Sequence, residues 1–257
     1  MSEGGPDGGT SAGAGVTATV RADVCRVGAP AEWHWLVTGG RGGTRRARAA
    51  YNLTVPEGFG RTDLDAYARG RRREAGFEDD GPTLLTGVSM AHARLAVRGP
   101  VTVLATGGLS NPATLPLVGG DSSSLADEAG ADDDPPVGTV NLVVATDRAL
   151  AEGTLAELLA TAVEAKTATL LATTGFTGTT SDAVAVGCDP GGDPAEFAGS
   201  ATAVGAATRA CVRDALLASL DARYDGRAGE LPDSVAVAEY GVVTDETARV
   251  FEPDRAE

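Results

Sequence analysis

Residues 138–188 read GTVNLVVATDRALAEGTLAELLATAVEAKTATLLATTGFTGTTSDAVAVGC. The stretch opens with GTVNLVVAT (138–146), an apolar β-rich run that predicts a strand. A long helical pattern follows at about 152–171, and DAVAVGC (182–188) predicts another strand. On either side the same alternation continues. VTATVRADV (16–24), HWLVT (34–38), AAYNLTV (49–55), TLLTGVSM (83–90), VTVLAT (101–106) and SVAVAEYGVV (234–243) read as strands. Residues 63–76 read as a short helix with Asp63 near its start, and 200–222 as a second long, Ala-rich helix. Strands and helices mix without a clean βαβ rhythm. The expected fold is therefore α+β, with mixed α/β layers: a mixed or antiparallel sheet with two long Ala-rich helices packed on it.

The expected organisation is one domain over residues 16–250. Residues 1–15 are Gly/Ser-rich and are expected to be a disordered tail, and 251–257 a charged tail. Residues 119–137 (GGDSSSLADEAGADDDPPV) are acidic, end in two prolines and predict a surface loop. Aromatics are only 4% of the chain, so the core must be built from small side chains.

The net charge of -15 argues against nucleic acid or an anionic membrane surface as partner. Lys166 is the only lysine among 21 basic residues. Excess acid with lysine almost eliminated fits a protein from a very salty cell interior; a GC-rich genome is the alternative source of the arginines. Cys25, Cys188 and Cys211 form no CxxC pair and read as small core residues in a reducing compartment. No run resembles a signal peptide or spans a bilayer, so the cytoplasm is the expected location. A homo-oligomer is compatible with the sequence.

The conventional catalytic signals are absent. His34 and His92 are the only histidines, and there is no HExxH, GxSxG or GxxxxGK[ST] pattern. No metal and no cofactor are expected. Lys166 stands out on the helical wheel, in the middle of a face shared by Leu155, Leu159, Ala162, Val163 and Leu170, with Glu164 opposite. A buried ammonium is costly unless paired, so it points to function or to a buried ion pair; a lysine snorkelling to the surface is the alternative. GFTGTTSDAVAVG (175–187) offers Thr179, Thr180 and Ser181 as nucleophiles or anchors, with Asp182 to orient them. Hydroxyls bonding their own turn are the plainer reading. ATGGLSNP (105–112) offers Asn111 and the N–H groups of Gly107 and Gly108 for an oxyanion. Asn141 lies among valines in a strand and needs a partner.

Taken in order, TGVSMA, ATGGLSNP, GTVNLVV, TAVEAKTATL, GTTSDAVAVG and AEYGVVT resemble the adenosylcobinamide amidohydrolase family over about residues 34–250. The resemblance implies hydrolysis of the amide that joins the corrinoid's propionyl side chain to aminopropanol. It implies adenosylcobyric acid and aminopropanol or its phosphate as products, within corrinoid salvage for coenzyme B12. The corrinoid is then substrate rather than cofactor. The family is typical of archaea, which agrees with the high-salt composition. Roles follow from chemistry rather than from the resemblance. Lys166 is base or charge stabiliser and Thr180 or Ser181 the attacking hydroxyl, with Glu164 or Asp182 assisting a water instead. Asn111, Gly107, Gly108, Asn141 and Thr179 bind substrate. A non-catalytic corrinoid-binding protein is the alternative, and an acyltransferase with a Thr nucleophile a remoter one.

Overall fold

The computed structural model describes residues 10–11, 14–39, 42–117, 138–224, 232, 234–238 and 240–253. The expected acidic loop 119–137 lies outside them, as does most of the expected N-terminal tail. Strands β1 (Thr10–Ser11), β2 (Thr17–Arg21), β3 (Val24–Val37) and β4 (Gly43–Thr54) precede helix α1 (Leu64–Glu74). Next come β5 (Thr83–Thr86), β6 (Arg94–Arg98), β7 (Val101–Gly107), β8 (Pro112–Thr114) and β9 (Val140–Leu150). Helix α2 (Glu152–Thr174), β10 (Gly178–Thr179), β11 (Ala183–Ala195), helix α3 (Ala203–Tyr224) and β12 (Val242–Val243) complete the order.

The main sheet runs β1-β2-β3-β11-β9-β7-β6, and β4 pairs with both β3 and β5. It is mixed: β9 and β11 are parallel neighbours joined through α2, β4 and β5 are parallel, and the other pairs are antiparallel. The α+β layering with two long helices on the sheet is what the sequence predicts. A second, small sheet has the order β10-β8-β12.

Alternation along the central strands sorts two apolar layers. Val103, Leu142 and Val186 point to the side covered by α2 and α3, where Leu158, Leu170, Val212 and Leu216 meet them. Leu104, Val143 and Ala185 point the other way, toward Trp33 and Trp35 of β3. Gly187 in β11 makes room for this. A Cβ there would lie 2.5 Å from the Trp35 ring. A third cluster packs α1 on β4 through Tyr51, Leu53, Ala68 and Phe77. Small residues carry most of these layers, as the low aromatic content requires.

Three details depart from the sequence reading. β1 falls inside the segment expected to be disordered and pairs with β2. β6, with its exposed Leu95 and Val97, is an additional strand at the sheet edge. Residues 234–243 do not form one strand. A 3-10 turn occupies Val235–Val237, and among the described residues of this stretch Val242–Val243 pair, with three-residue β8. Among the described residues no helix is long and apolar enough to cross a membrane.

Candidate active site

The loop between α2 and β11 carries the hydroxyl-rich motif. Gly175 ends α2 in the left-handed conformation (φ 76°), its N–H bonded to the Leu171 carbonyl. Phe176 then plugs into the core at 3% exposure. The Thr177 amide and hydroxyl both donate to the Ala113 carbonyl, at 2.8 and 2.9 Å. Gly178 and Thr179 pair with β8. The Thr180 amide donates to the Asn111 carbonyl at 3.2 Å, and the Asn111 side-chain amide donates back to the Thr180 hydroxyl.

Asp182 is the hub of this loop. Its Oδ1 accepts from the Val140 amide at 2.9 Å and from the Thr179 hydroxyl. Its Oδ2 accepts from the Thr179 amide at 3.2 Å and from Lys166 Nζ. One carboxylate thus ties α2, β10 and the start of β9 together. Lys166 is 6% exposed, so the lysine is a buried, paired cation. Gly178 is required here, since a Cβ would sit 2.5 Å from Asp182 Oδ2 and 2.8 Å from Lys166 Nζ.

Ser181 is exposed, beside this hub. Its hydroxyl donates to the Gly138 carbonyl at 3.2 Å and lies 3.4 Å from the Thr139 hydroxyl. Both residues line a cleft of about 890 Å³. Its other walls come from the β3–β4 turn, from α1 and from β5. Val37, Phe59, Leu64 and Leu84 give it an apolar lining, while Arg45, Arg69 and Asp65 supply charge. Arg72 braces the far wall. Its guanidinium donates to Gly81 O at 2.9 Å, to the Thr83 hydroxyl at 2.5 Å and to Asp80, and stacks on Tyr51 with 5.1 Å to the centroid.

The fold therefore gathers Lys166, Thr179, Thr180, Ser181, Asp182 and Asn111 into one cluster. Asn141 lies on the same strand face as Thr139 but below the cleft wall, 1% exposed. Its amide donates to Asn52 Oδ1 at 2.9 Å and to Leu85 O at 2.8 Å, and Asn52 in turn donates to the Thr106 hydroxyl. Glu164 is apart from the cluster, on the exposed side of α2, paired with Arg209 of α3. The Gly107 and Gly108 amides are already engaged, by the Ser219 hydroxyl at 3.0 Å and the Thr139 carbonyl at 3.1 Å. Those glycines answer to packing, because a Cβ on Gly107 would lie 2.9 Å from Leu220 and one on Gly108 2.8 Å from Val88. Neither His34 nor His92 is among the cleft residues.

Sequence reasoning missed Thr139 and the cleft residues of α1 and β4. Thr139 was legible, two positions before Asn141 in GTVN and so on the same strand face. Arg45, Asp65 and Arg69 carried no signal that separates them from other surface charges.

Residues 9–228 match the adenosylcobinamide amidohydrolase family. A protein of Halobacterium salinarum named adenosylcobinamide amidohydrolase is 53% identical over 237 residues, 91% of this chain and 98% of that one. A protein of the same name from Methanosarcina mazei is 29% identical over 196 residues, 72% of this chain and 89% of its own. A hydroxyl-lined cleft beside a buried ion pair, in a chain matched along most of its length, leads to one assignment: the chain belongs to the adenosylcobinamide amidohydrolase family.

Proposed function

We propose that the protein hydrolyses the amide of adenosylcobinamide, or of its phosphate, with the scissile carbonyl held at the Ser181–Thr139 wall of the cleft. One water is consumed, and the products are adenosylcobyric acid and aminopropanol or its phosphate. The carrying observation is the pair of hydroxyls 3.4 Å apart on a cleft of about 890 Å³, directly beside the Lys166–Asp182 hub. Apolar lining interleaved with Arg, Asp and Thr suits a flat macrocycle fringed with carboxamides.

The Thr139 hydroxyl, and the Ser181 hydroxyl on leaving the Gly138 carbonyl, can donate to the carbonyl oxygen as it gains charge. Among the described residues Ser181 has no base in hydrogen-bond contact. That favours attack by water over acyl transfer to Ser181. Asp182, with four donors, and Lys166, with Asp182, are occupied in holding the loop. Their place in the reaction is positioning. The setting is corrinoid salvage for coenzyme B12. A cytoplasmic location and the absence of nucleic-acid or membrane partners fit the free buried cysteines and the -15 charge.

The test is incubation with adenosylcobinamide in concentrated KCl, with mass analysis of the corrinoid. Wild type should give adenosylcobyric acid, and Ser181→Ala should slow turnover by about 100-fold. In H₂¹⁸O under single turnover, label should enter the acid with no mass added to the protein. Binding without product would make the protein a corrinoid carrier, and an acyl-enzyme would restore Ser181 as nucleophile.

A further inference from the structure

We propose that Val235–Ala238 and Tyr240–Thr244 form a positioning strap that holds the active-site loop through β8. The proposal rests on the site assignment above. Strand β8 is three residues long, and its pairing with two-residue β10 is too short to be stable alone. Yet the loop depends on it. β8 holds Thr177, Gly178 and Thr179 on one edge, and Asn111 just before it clasps Thr180. Movement of β8 would therefore shift Thr179, and with it a donor to Asp182, and the neighbouring Ser181 hydroxyl.

Strand β12 occupies the other edge of β8, parallel to it, with Val242 opposite Ala113 and Val243 opposite Thr114. The Thr244 amide donates to the Thr114 carbonyl at 3.0 Å. The strap is fixed at its near end by Val235, 8% exposed within the main core under α2 and α3. A 3-10 turn closes there, the Ala238 amide donating to the Val235 carbonyl at 3.2 Å. Gly241 then folds back on Val235 so closely that a Cβ would lie 2.5 Å from its Cγ1 and 2.6 Å from its carbonyl oxygen. The strap thus links the core to the outer edge of β8. Its glycine is demanded by contact with its own anchor.

Two variants attack the strap by different routes. Thr244→Pro removes the N–H that bonds Thr114, and Gly241→Val forces carbon into Val235. Thr247→Pro, at an exposed position beyond the pairing, is the control. The readouts are amide hydrogen exchange by mass spectrometry and steady-state turnover of adenosylcobinamide, both in molar KCl. Both strap variants should exchange about 10-fold faster in peptides covering 112–114 and 177–182, with 24–28 still protected. Their kcat should fall about 10-fold with smaller change in KM, because loop geometry rather than the cleft is disturbed. The control should match wild type in each readout. Unchanged exchange in both variants overturns the strap, and so does faster exchange with undiminished kcat or uniform loss of protection along the chain. An inactive wild type would refute the amidase assignment, while the exchange data would still decide whether the strap holds the loop.

Discussion

Lys166 lies on the same buried face of α2 as Ala162 and Leu170, with Asp182 as its partner. The point charge of an ammonium explains why this basic residue is lysine in a chain otherwise built with arginine. The Gly178 backbone closes over the pair, with the Cβ position only 2.8 Å from Nζ, and the broader guanidinium has no room there. Geometry accounts for the lysine without invoking proton exchange. The variants separate these roles. Lys166→Met strands a buried carboxylate and Asp182→Asn a buried ammonium, and each should cost about 3–5 kcal/mol. The double variant should lose less than the two single losses added together, by about 1–3 kcal/mol, as coupled partners do. Urea unfolding in molar KCl measures it. Simple addition of the two losses would sink the pair. A Lys166→Met protein of unchanged stability that no longer turns over would return the lysine to the role of general base.

At the scale of elements, glycines decide how closely layers meet. Gly187 lets the Trp35 ring lie on β11, with ring atoms 2.5 Å from where a Cβ would stand. A rigid indole cannot give way as a leucine tip can. Gly187→Ala should therefore cost about 1–3 kcal/mol by overpacking, seen as a lower thermal midpoint without change in the cleft. An unchanged midpoint would mean that β3 and β11 slide apart freely. The strands and long helices of the main layers were legible because alternation and helical periodicity extend over many residues. The lysine on the apolar stripe was legible for the same reason, whereas the hydroxyls before β11 stood out only as a Gly-rich, hydroxyl-rich turn. Short pairings were not. β8, β10 and β12 have too few residues for a period, and exist because the loop backbone needs partners. Gly107 and Gly108 resembled an anion cradle in sequence, yet α3 lies against Gly107 and their N–H groups bond Ser219 and Thr139. Glu164 was placed opposite the stripe correctly, but nothing in α2 alone indicates that Arg209 of α3 will claim it.

The whole molecule carries 36 acidic against 21 basic residues, and its relative from Halobacterium salinarum comes from a halophile. Repulsion among so many carboxylates opposes the compact state. Salt shortens its reach from about 30 Å at 0.01 M to about 3 Å at 1 M. Screening also weakens exposed pairs such as Arg61–Asp63, but pairs held in water contribute little to begin with. The surplus of one sign therefore decides the direction, and the thermal midpoint should climb from dilute buffer to molar KCl. Among the described residues no group of three or more His, Cys, Asp and Glu is placed to hold a metal, so EDTA should leave this climb and the activity intact. The cysteines report the same transition independently. Cys25, Cys188 and Cys211 are buried, and burial pushes the Cys25 thiol up to about 12 and Cys211 up to about 11. A thiol attacks only as thiolate, so the folded protein should resist iodoacetamide at pH 8. In molar KCl, mass analysis should find no added label; in dilute buffer all three cysteines should be modified, on the time scale of unfolding. A midpoint that stays flat or falls with salt, or thiols equally protected in dilute buffer, would mean that the core's small-residue packing outweighs the charge imbalance.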